Sequence, residues 1–136
     1  MLPQEKPRVM VVDDDDALQR LVSTLLTRAE MEIISAESAV EAADLLKRAH
    51  EQGVLPHVLV LDMMLPDVSG LDFLRQLREQ SQFDTVRVVV LSAIADHDKI
   101  REGLEIGADR YLTKSYLANN LIATIQDLLA LHHQRR

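Results

Sequence analysis

An unbroken apolar run at residues 58–61 stops abruptly at a carboxylate, Asp62. A short run of Val and Leu without polar alternation is typical of a strand buried on both faces, and such strands belong to parallel sheets covered by helices. The loop that follows contains Pro66 and Gly70, residue types that mark turns. Because ligands bind at the carboxyl ends of the strands in an open parallel sheet, Asp62 lies where a binding crevice is expected.

Four more strands and five helices are predicted around this run. The other strands are residues 8–12, 31–35, 86–91 and 109–113. The segments between them repeat apolar residues at helical spacing, as at Leu18, Leu21 and Leu25. The fourth helix, near residues 98–106, has only Ile100 and Leu104 as an apolar face, so we expect it to be marginal and mobile.

The predicted helices also carry recognisable end signals. Asp15 or Asp16 is expected to cap the first helix. Ser38 and Glu41 form a capping-box pattern at the second, and Ser69 is expected to cap the third. Five strands that alternate with helices, with connections too long for hairpins, predict an α/β fold, a right-handed doubly wound parallel sheet with helices on both faces.

Length and composition narrow the class of protein. A chain of 136 residues is about one domain, so we expect a single domain over residues 1–136. Cysteine is absent, which fits a reducing compartment, and neither a signal peptide nor a membrane-length apolar segment is found, so we expect a cytoplasmic protein. A net charge of −7 argues against direct binding of nucleic acid.

Polar groups end four of the five predicted strands. They are the aspartates at 13–16, then Asp62, Ser92 and Lys114. Taken alone, the aspartate run is more often a solvated helix-capping turn and Lys114 more often a surface lysine. Together, the four groups converge on one rim of the sheet. Clustered carboxylates favour the binding of Mg²⁺. The Lys114 ammonium and the Ser92 hydroxyl can bind phosphoryl oxygens, and a carboxylate can act as the nucleophile in phosphoryl transfer. We expect Asp62 to be that nucleophile.

In these motifs the chain resembles the receiver domains of two-component response regulators, from about residue 7 to residue 131. The matching segments are residues 11–15 (VVDDD), residues 61–70 with LD, LP and Gly, residues 91–93 (LSA), and residues 107–114 from GAD to Lys. The resemblance implies a flavodoxin-like strand order of 2-1-3-4-5. It also implies a signalling domain that catalyses only its own phosphorylation and dephosphorylation.

The resemblance further implies how Asp62 is used. A sensor histidine kinase or phosphotransfer protein would donate the phosphoryl group, and Mg²⁺ would be bound by Asp14, Asp62 and the backbone carbonyl of Met64, with Asp13 acting through water. Ser92 and Tyr111 would form the switch pair, which alters the surface of helix 4, strand 5 and helix 5 for an unknown output partner. The alternative for Tyr111 is an edge-strand aromatic with its hydroxyl in water.

One position departs from the family. Receiver domains usually have a cis proline after the lysine, whereas Ser115 follows Lys114 here. A cis bond before serine costs about 3–4 kcal/mol. Either the peptide is trans and Lys114 is re-aimed, or strain is stored at this position.

Two other functions share features with this sequence. A phosphatase of the haloacid dehalogenase type shares the Asp13-x-Asp15 spacing, but this chain has Ala17 where that type has Thr or Val. A pseudo-receiver would keep the fold without phosphorylation.

Met64 and Ile94, two residues after Asp62 and Ser92, are both apolar. Because they cannot orient an attacking water, we expect a long-lived aspartyl phosphate.

Overall fold

The computed structural model describes residues 5–93 and 95–134, with only the helical backbone at 132–134. Its strands are β1 (Arg8–Val12), β2 (Glu32–Ala36), β3 (Val58–Asp62), β4 (Arg87–Ser92) and β5 (Arg110–Thr113). Its helices are α1 (Asp16–Arg28), α2 (Ala39–Gln52), α3 (Gly70–Arg78), α4 (His97–Ile106) and α5 (Leu117–Gln134). Short 3-10 turns at Ser81–Phe83 and Lys114–Tyr116, which the sequence did not predict, precede β4 and α5.

The five strands form one parallel sheet in the order β2-β1-β3-β4-β5, which confirms the predicted fold and strand order. Asp62 at the end of β3 pairs with Leu91 of β4, and Ser92 pairs with Thr113 of β5. Because every pairing is parallel, the carboxyl ends of the strands lie along one edge. This edge is where the predicted polar groups are expected to meet.

Helices cover both faces of the sheet, as predicted. Residues alternate along β3, so that Leu59 and Leu61 pack in one core with α2 and α3, while Val58 and Val60 pack in the other with α1 and α5. All five residues of β3 are buried, because each face of the strand meets a helical layer. The apolar run that predicted a central strand is explained by this double burial.

The predicted helix ends are largely confirmed. Asp15 is the residue that caps α1, since its carboxylate accepts hydrogen bonds from the amides of Ala17 (2.9 Å) and Leu18 (3.2 Å). Ser38 caps α2 through the amide of Glu41. The second half of the capping box differs from the pattern, because the Glu41 carboxylate accepts from the amide of Glu37 at 2.7 Å rather than from that of Ser38.

Helix α4 differs from its prediction in the face that it buries. Its buried residue is Gly103, where a Cβ would lie 3.4 Å from the Leu71 side chain of α3, whereas Leu104 is 47% exposed. The expectation that Leu104 would face the core was therefore wrong. The helix begins at His97 behind an Asp96 cap, and its predicted mobility stays a prediction.

At the opposite end of the sheet, Arg78 ties several segments together. Its guanidinium donates to the carbonyls of Gly107 (3.0 Å) and Val86 (2.8 Å) and pairs with Asp109 at 3.4 Å. The buried Arg87 shares the same carboxylate at 3.4 Å. Burial lowers the pKa of Arg78, and the attraction of Asp109 only partly offsets it. The last turn of α3 is thus joined to the start of β4 and to the segment between α4 and β5.

Candidate functional site at the carboxyl edge of the sheet

Lys114 lies between two buried carboxylates that come from different strands. Its ammonium nitrogen Nζ is 3.2 Å from Asp13 Oδ2 and 3.3 Å from Asp62 Oδ1. Asp13 follows β1 and is fully buried, Asp62 ends β3 and is 4% exposed, and Lys114 follows β5. The structure therefore brings together three of the groups that the sequence predicted for this edge.

The carboxyl end of β1 is held by hydrogen bonds that position Asp13. The Asp13 amide donates to the carbonyl of Ala36 at 3.0 Å, and its Oδ1 accepts from the Asp15 amide at 2.9 Å. The side-chain amide of Gln19 lies 2.9–3.2 Å from the carbonyls of Val11, Asp13 and Ala36. Sequence analysis missed Gln19, because nothing in the helical pattern separates it from a solvent-facing residue.

The three predicted acidic ligands are close enough to share a cation. One carboxylate oxygen from each of Asp13, Asp14 and Asp62 lies within 4.8 Å of the others. Asp13 Oδ2 is buried and accepts no well-directed hydrogen bond, although Lys114 is near it. A buried oxygen without a directed donor, beside two more carboxylates, fits a hard cation such as Mg²⁺, which takes oxygen ligands and keeps several waters.

The electrostatics of the site reflect its burial and its crowded negative charge. Burial raises the pKa of Asp62, the Asp13 carboxylate raises it further, and Lys114 and the Met64 amide lower it only in part. For Lys114, burial alone would lower the pKa, but the neighbouring Asp13 and Asp62 outweigh it and the pKa is raised. One ammonium group therefore remains charged among three carboxylates, and a divalent cation would relieve the excess negative charge.

The loop after β3 turns back tightly on Asp62. The Gly70 amide donates to the Met63 carbonyl at 2.7 Å, and Met64 forms an antiparallel bridge with Ser69. A Cβ on Gly70 would lie only 2.2 Å from the Asp62 carbonyl oxygen, so a residue without a side chain is required at this close approach. The Met64 side chain is 78% exposed, and the role of its carbonyl as a metal ligand stays a prediction.

Asp67 in the same loop reaches the start of α2. Its carboxylate accepts from the amides of Ala39 at 3.0 Å and Val40 at 2.9 Å, and these hydrogen bonds lower its pKa. Sequence analysis assigned Asp67 no role. An aspartate after a proline signals a turn, but the sequence does not show a contact that spans 28 residues.

The predicted switch residues lie beside this loop. Ser92 is almost fully buried at the end of β4, one residue beyond the partner of Asp62 in the sheet. Tyr111 is half-buried in β5, its hydroxyl donates to the sulfur of Met63 at 3.5 Å, and its role in the switch stays a prediction. Ile94 lies outside the described residues.

The segment after Lys114 resolves the question that Ser115 raised. No described peptide bond is cis, so the bond between Lys114 and Ser115 is trans. Lys114 nevertheless reaches both Asp13 and Asp62. The 3-10 turn at Lys114–Tyr116 carries the chain from β5 into α5 at this point, and with the trans bond Lys114 still faces the two carboxylates.

Comparison with known proteins gives the same picture over nearly the whole chain. A family model, described as the response regulator receiver domain, matches residues 9–126. A probable transcriptional regulator, ycf27, of Porphyridium aerugineum is 33% identical over 125 residues, which are 92% of this chain and 49% of that protein. This chain thus spans about half the length of the curated relative that it matches.

Solved structures agree in fold and in length. A putative response regulator from Chloroflexus aurantiacus has a TM-score of 0.84 at 27% identity, covering 93% of this chain and 99% of that one. The chemotaxis response regulator CheY4 of Vibrio cholerae has a TM-score of 0.82 at 27% identity, covering 91% and 99%. This chain therefore belongs to the response regulator receiver domains, the phosphoacceptor signalling domains of two-component systems.

Proposed function

We propose that this domain accepts a phosphoryl group on Asp62 from a sensor histidine kinase or a phosphotransfer protein. The observation that carries the proposal is the position of Lys114, with its ammonium 3.3 Å from the Asp62 carboxylate at the carboxyl edge of the sheet. A phosphoryl group on the other Asp62 oxygen would lie within reach of that cation. The family membership supports a phosphoacceptor role in general, and the geometry favours Asp62 as the residue that performs it.

The chemistry requires a carboxylate nucleophile and positive charge around the transferred group. An Asp62 oxygen forms the new O–P bond while the P–N bond to the donor histidine breaks, and the electron pair of that bond returns to the imidazole. Lys114 neutralises charge on the phosphoryl oxygens, and the Ser92 hydroxyl donates a hydrogen bond to one of them. Catalysis of this kind depends on positioning and electrostatic stabilisation, which these side chains can supply.

Mg²⁺ would be held by Asp13, Asp14, Asp62 and the Met64 carbonyl, with Asp13 acting through water. When bound, it supplies positive charge that offsets the three carboxylates and the incoming phosphoryl group. The support in this structure is the cluster of three carboxylates within 4.8 Å and the buried Asp13 oxygen that lacks a directed hydrogen bond.

Phosphorylation would change the surface of α4, β5 and α5 through Ser92 and Tyr111. The contact between the Tyr111 hydroxyl and the Met63 sulfur supports this proposal, because Met63 directly follows the phosphoacceptor. A shift of the loop on phosphorylation would disturb that contact and so reach β5. Segments that can take two arrangements are the usual elements of such switches.

The output partner is an effector domain or protein of unknown identity. The relative from Porphyridium is described as a probable transcriptional regulator and is about twice as long as this chain, which supports an effector that regulates transcription. We propose that residues 1–136 form one receiver domain that works in the cytoplasm. Because the chain has a net charge of −7, we propose that this domain does not itself bind nucleic acid. Among the described residues, no helix combines the length and hydropathy needed to cross a bilayer.

The test is intact mass spectrometry after treatment with a small phosphodonor and Mg²⁺. The wild-type protein should gain one phosphoryl group and the Asp62→Asn protein none. Asp44→Asn, which makes the same change at an exposed carboxylate of α2, should be labelled like the wild type. Undiminished labelling of Asp62→Asn would refute the assignment. Failure of the wild type to be labelled or to bind Mg²⁺ would favour a pseudo-receiver.

A further inference from the structure

The carboxylate of Asp67 joins the loop after β3 to the first turn of α2. Its two oxygens accept separately from two successive amides, those of Ala39 at 3.0 Å and Val40 at 2.9 Å. An anion at a helix N-terminus is favoured by the unpaired amides and by the helix dipole. The contact is therefore a cap of α2 that comes from a distant part of the chain.

This cap is not redundant with the local one. The Ala42 amide makes the first ordinary hydrogen bond of the helix, to the Ser38 carbonyl at 3.0 Å. The three helical amides before it have no partner within the helix: Glu41 donates to the Ser38 hydroxyl at 3.1 Å, and Ala39 and Val40 donate to Asp67. Asp67 thus satisfies two of these three amides, and of the two caps only Asp67 connects the helix to the phosphoacceptor loop.

The same loop is fixed at its other end by Gly70. The Gly70 amide donates to the Met63 carbonyl at 2.7 Å, and a Cβ on Gly70 would lie 2.2 Å from the Asp62 carbonyl oxygen. Along the chain, Met64, whose carbonyl is the proposed metal ligand, lies between Met63, which this hydrogen bond holds, and Asp67. The loop is therefore held both at the strand that carries the phosphoacceptor and at a separate helix.

We propose that Asp67 is a positioning residue for the metal and phosphoryl site, which holds the loop in its binding geometry before Mg²⁺ arrives. The proposal rests on the function proposed above. A loop that is already ordered loses less conformational freedom on binding, so the ligand binds more tightly. Because coupling between sites is reciprocal, Mg²⁺ should in turn strengthen the contact between Asp67 and α2.

A purely structural cap would affect only the stability of α2, and Ser38→Ala provides the matched comparison. That substitution removes one capping hydrogen bond from the same helix without touching the loop. Asp67→Ala removes both loop contacts with the helix. Asp67→Asn keeps one carbonyl oxygen as an acceptor and should lie between Asp67→Ala and the wild type.

The first experiment is amide hydrogen exchange without Mg²⁺, which does not depend on phosphorylation. Asp67→Ala should speed the exchange of the Gly70 amide about tenfold, since loss of two hydrogen bonds loosens the loop. Ser38→Ala should leave that amide within about twofold of the wild-type rate, as befits a change outside the loop. Equal effects of the two substitutions on Gly70, or none from Asp67→Ala, would overturn the inference that Asp67 holds the loop.

The second experiment is calorimetric titration with Mg²⁺ alone. Asp67→Ala should bind about fivefold more weakly or worse, the low end of the usual coupling range, and Asp67→Asn should recover part of the loss. Ser38→Ala should bind like the wild type. If Asp67→Ala binds Mg²⁺ as tightly as Ser38→Ala, the positioning role is wrong. A wild-type protein that binds no Mg²⁺ would instead overturn the proposed function and the metal part of this inference, while the exchange experiment still decides whether Asp67 holds the loop.

Discussion

Replacement of Gly70 by alanine should disrupt both the stability of the domain and its site. A Cβ at this position would lie 2.2 Å from the Asp62 carbonyl oxygen and 2.8 Å from the Met63 Cα. Real Cβ contacts are essentially never shorter than 3.0 Å. Because both of these atoms belong to the backbone, no side-chain rotation can relieve the overlap, and the loop must move away from β3 by about 0.8 Å or more.

The size of the effect follows from what such a shift breaks. The hydrogen bond from Gly70 to Met63 and the bridge from Met64 to Ser69 would be lost or weakened, at about 1 kcal/mol each. Residual overlap adds roughly 1–3 kcal/mol. The free energy of unfolding should therefore fall by about 3–5 kcal/mol, which lowers the melting temperature of a domain of this size by roughly 10–17 °C.

Gly103→Ala is the matched control, since it makes the same substitution elsewhere in the chain. There the new Cβ would lie 3.4 Å from the end of the Leu71 side chain, an ordinary contact. Because alanine is a better helix former than glycine, this substitution should stabilise the protein by about 0.5–1 kcal/mol. Urea unfolding of the three proteins measures both changes. If Gly70→Ala stays within about 1 kcal/mol of the wild type, the close approach of the loop to Asp62 does not exclude a side chain at position 70.

Three further predictions concern charge, metal and lifetime. Without metal, Asp62→Asn should melt above the wild type at pH 7, because burial and Asp13 raise the pKa of Asp62. A carboxyl whose pKa is raised in the folded state contributes stability below its unfolded pKa of 3.8 and loses it as the pH rises through the folded pKa. The difference in melting temperature between Asp62→Asn and the wild type should therefore appear only above about pH 4. An equal difference at pH 3 would contradict this. Mg²⁺ at a hundred times its Kd should stabilise the wild type by about 2.7 kcal/mol and Asp62→Asn much less, and a wild-type melting temperature indifferent to millimolar Mg²⁺ would count against the metal site. By intact mass after removal of the phosphodonor, the wild type should lose its phosphoryl group more slowly than the Met64→Asn, Ile94→Glu double variant; equal rates would show that these side chains do not control the lifetime.

The fold was predictable because its signals are local and mutually consistent. The run that ends at Asp62 is apolar at every position, which indicates a strand covered on both faces. Once the strands were taken as parallel, the polar groups that end four of them could be placed at a common edge. Helix α4 is the exception. Its pattern suggested that Leu104 faces inward, but the small Gly103 allows α3 to approach closely, and packing of this kind overrides hydrophobic periodicity.

The parts of the site that sequence reasoning missed depend on contacts between distant segments. Asp67 reads locally as a turn residue, and its partners in α2 lie 27 and 28 residues earlier in the chain. Gln19 reads as a surface residue of α1, although its amide lies against carbonyls of β1 and β2. The geometry of Lys114 before a non-proline residue also needed the structure, because the path of the chain into α5 decides where the ammonium points.

The contacts of Arg78 with the Gly107 carbonyl and with Asp109 can act as a pivot at one end of helix α4. The guanidinium of Arg78 holds the carbonyl of Gly107, directly after the helix, while the other end of α4 lies on the side of the sheet where Ser92 is found. A helix of ten residues is a lever arm about 15 Å long. A tilt of about 10° around this pivot would displace the His97 end by roughly 2–3 Å and leave the Gly107 end nearly still. A sub-ångström rearrangement at the phosphoacceptor could in this way be amplified into a movement large enough for a partner to detect.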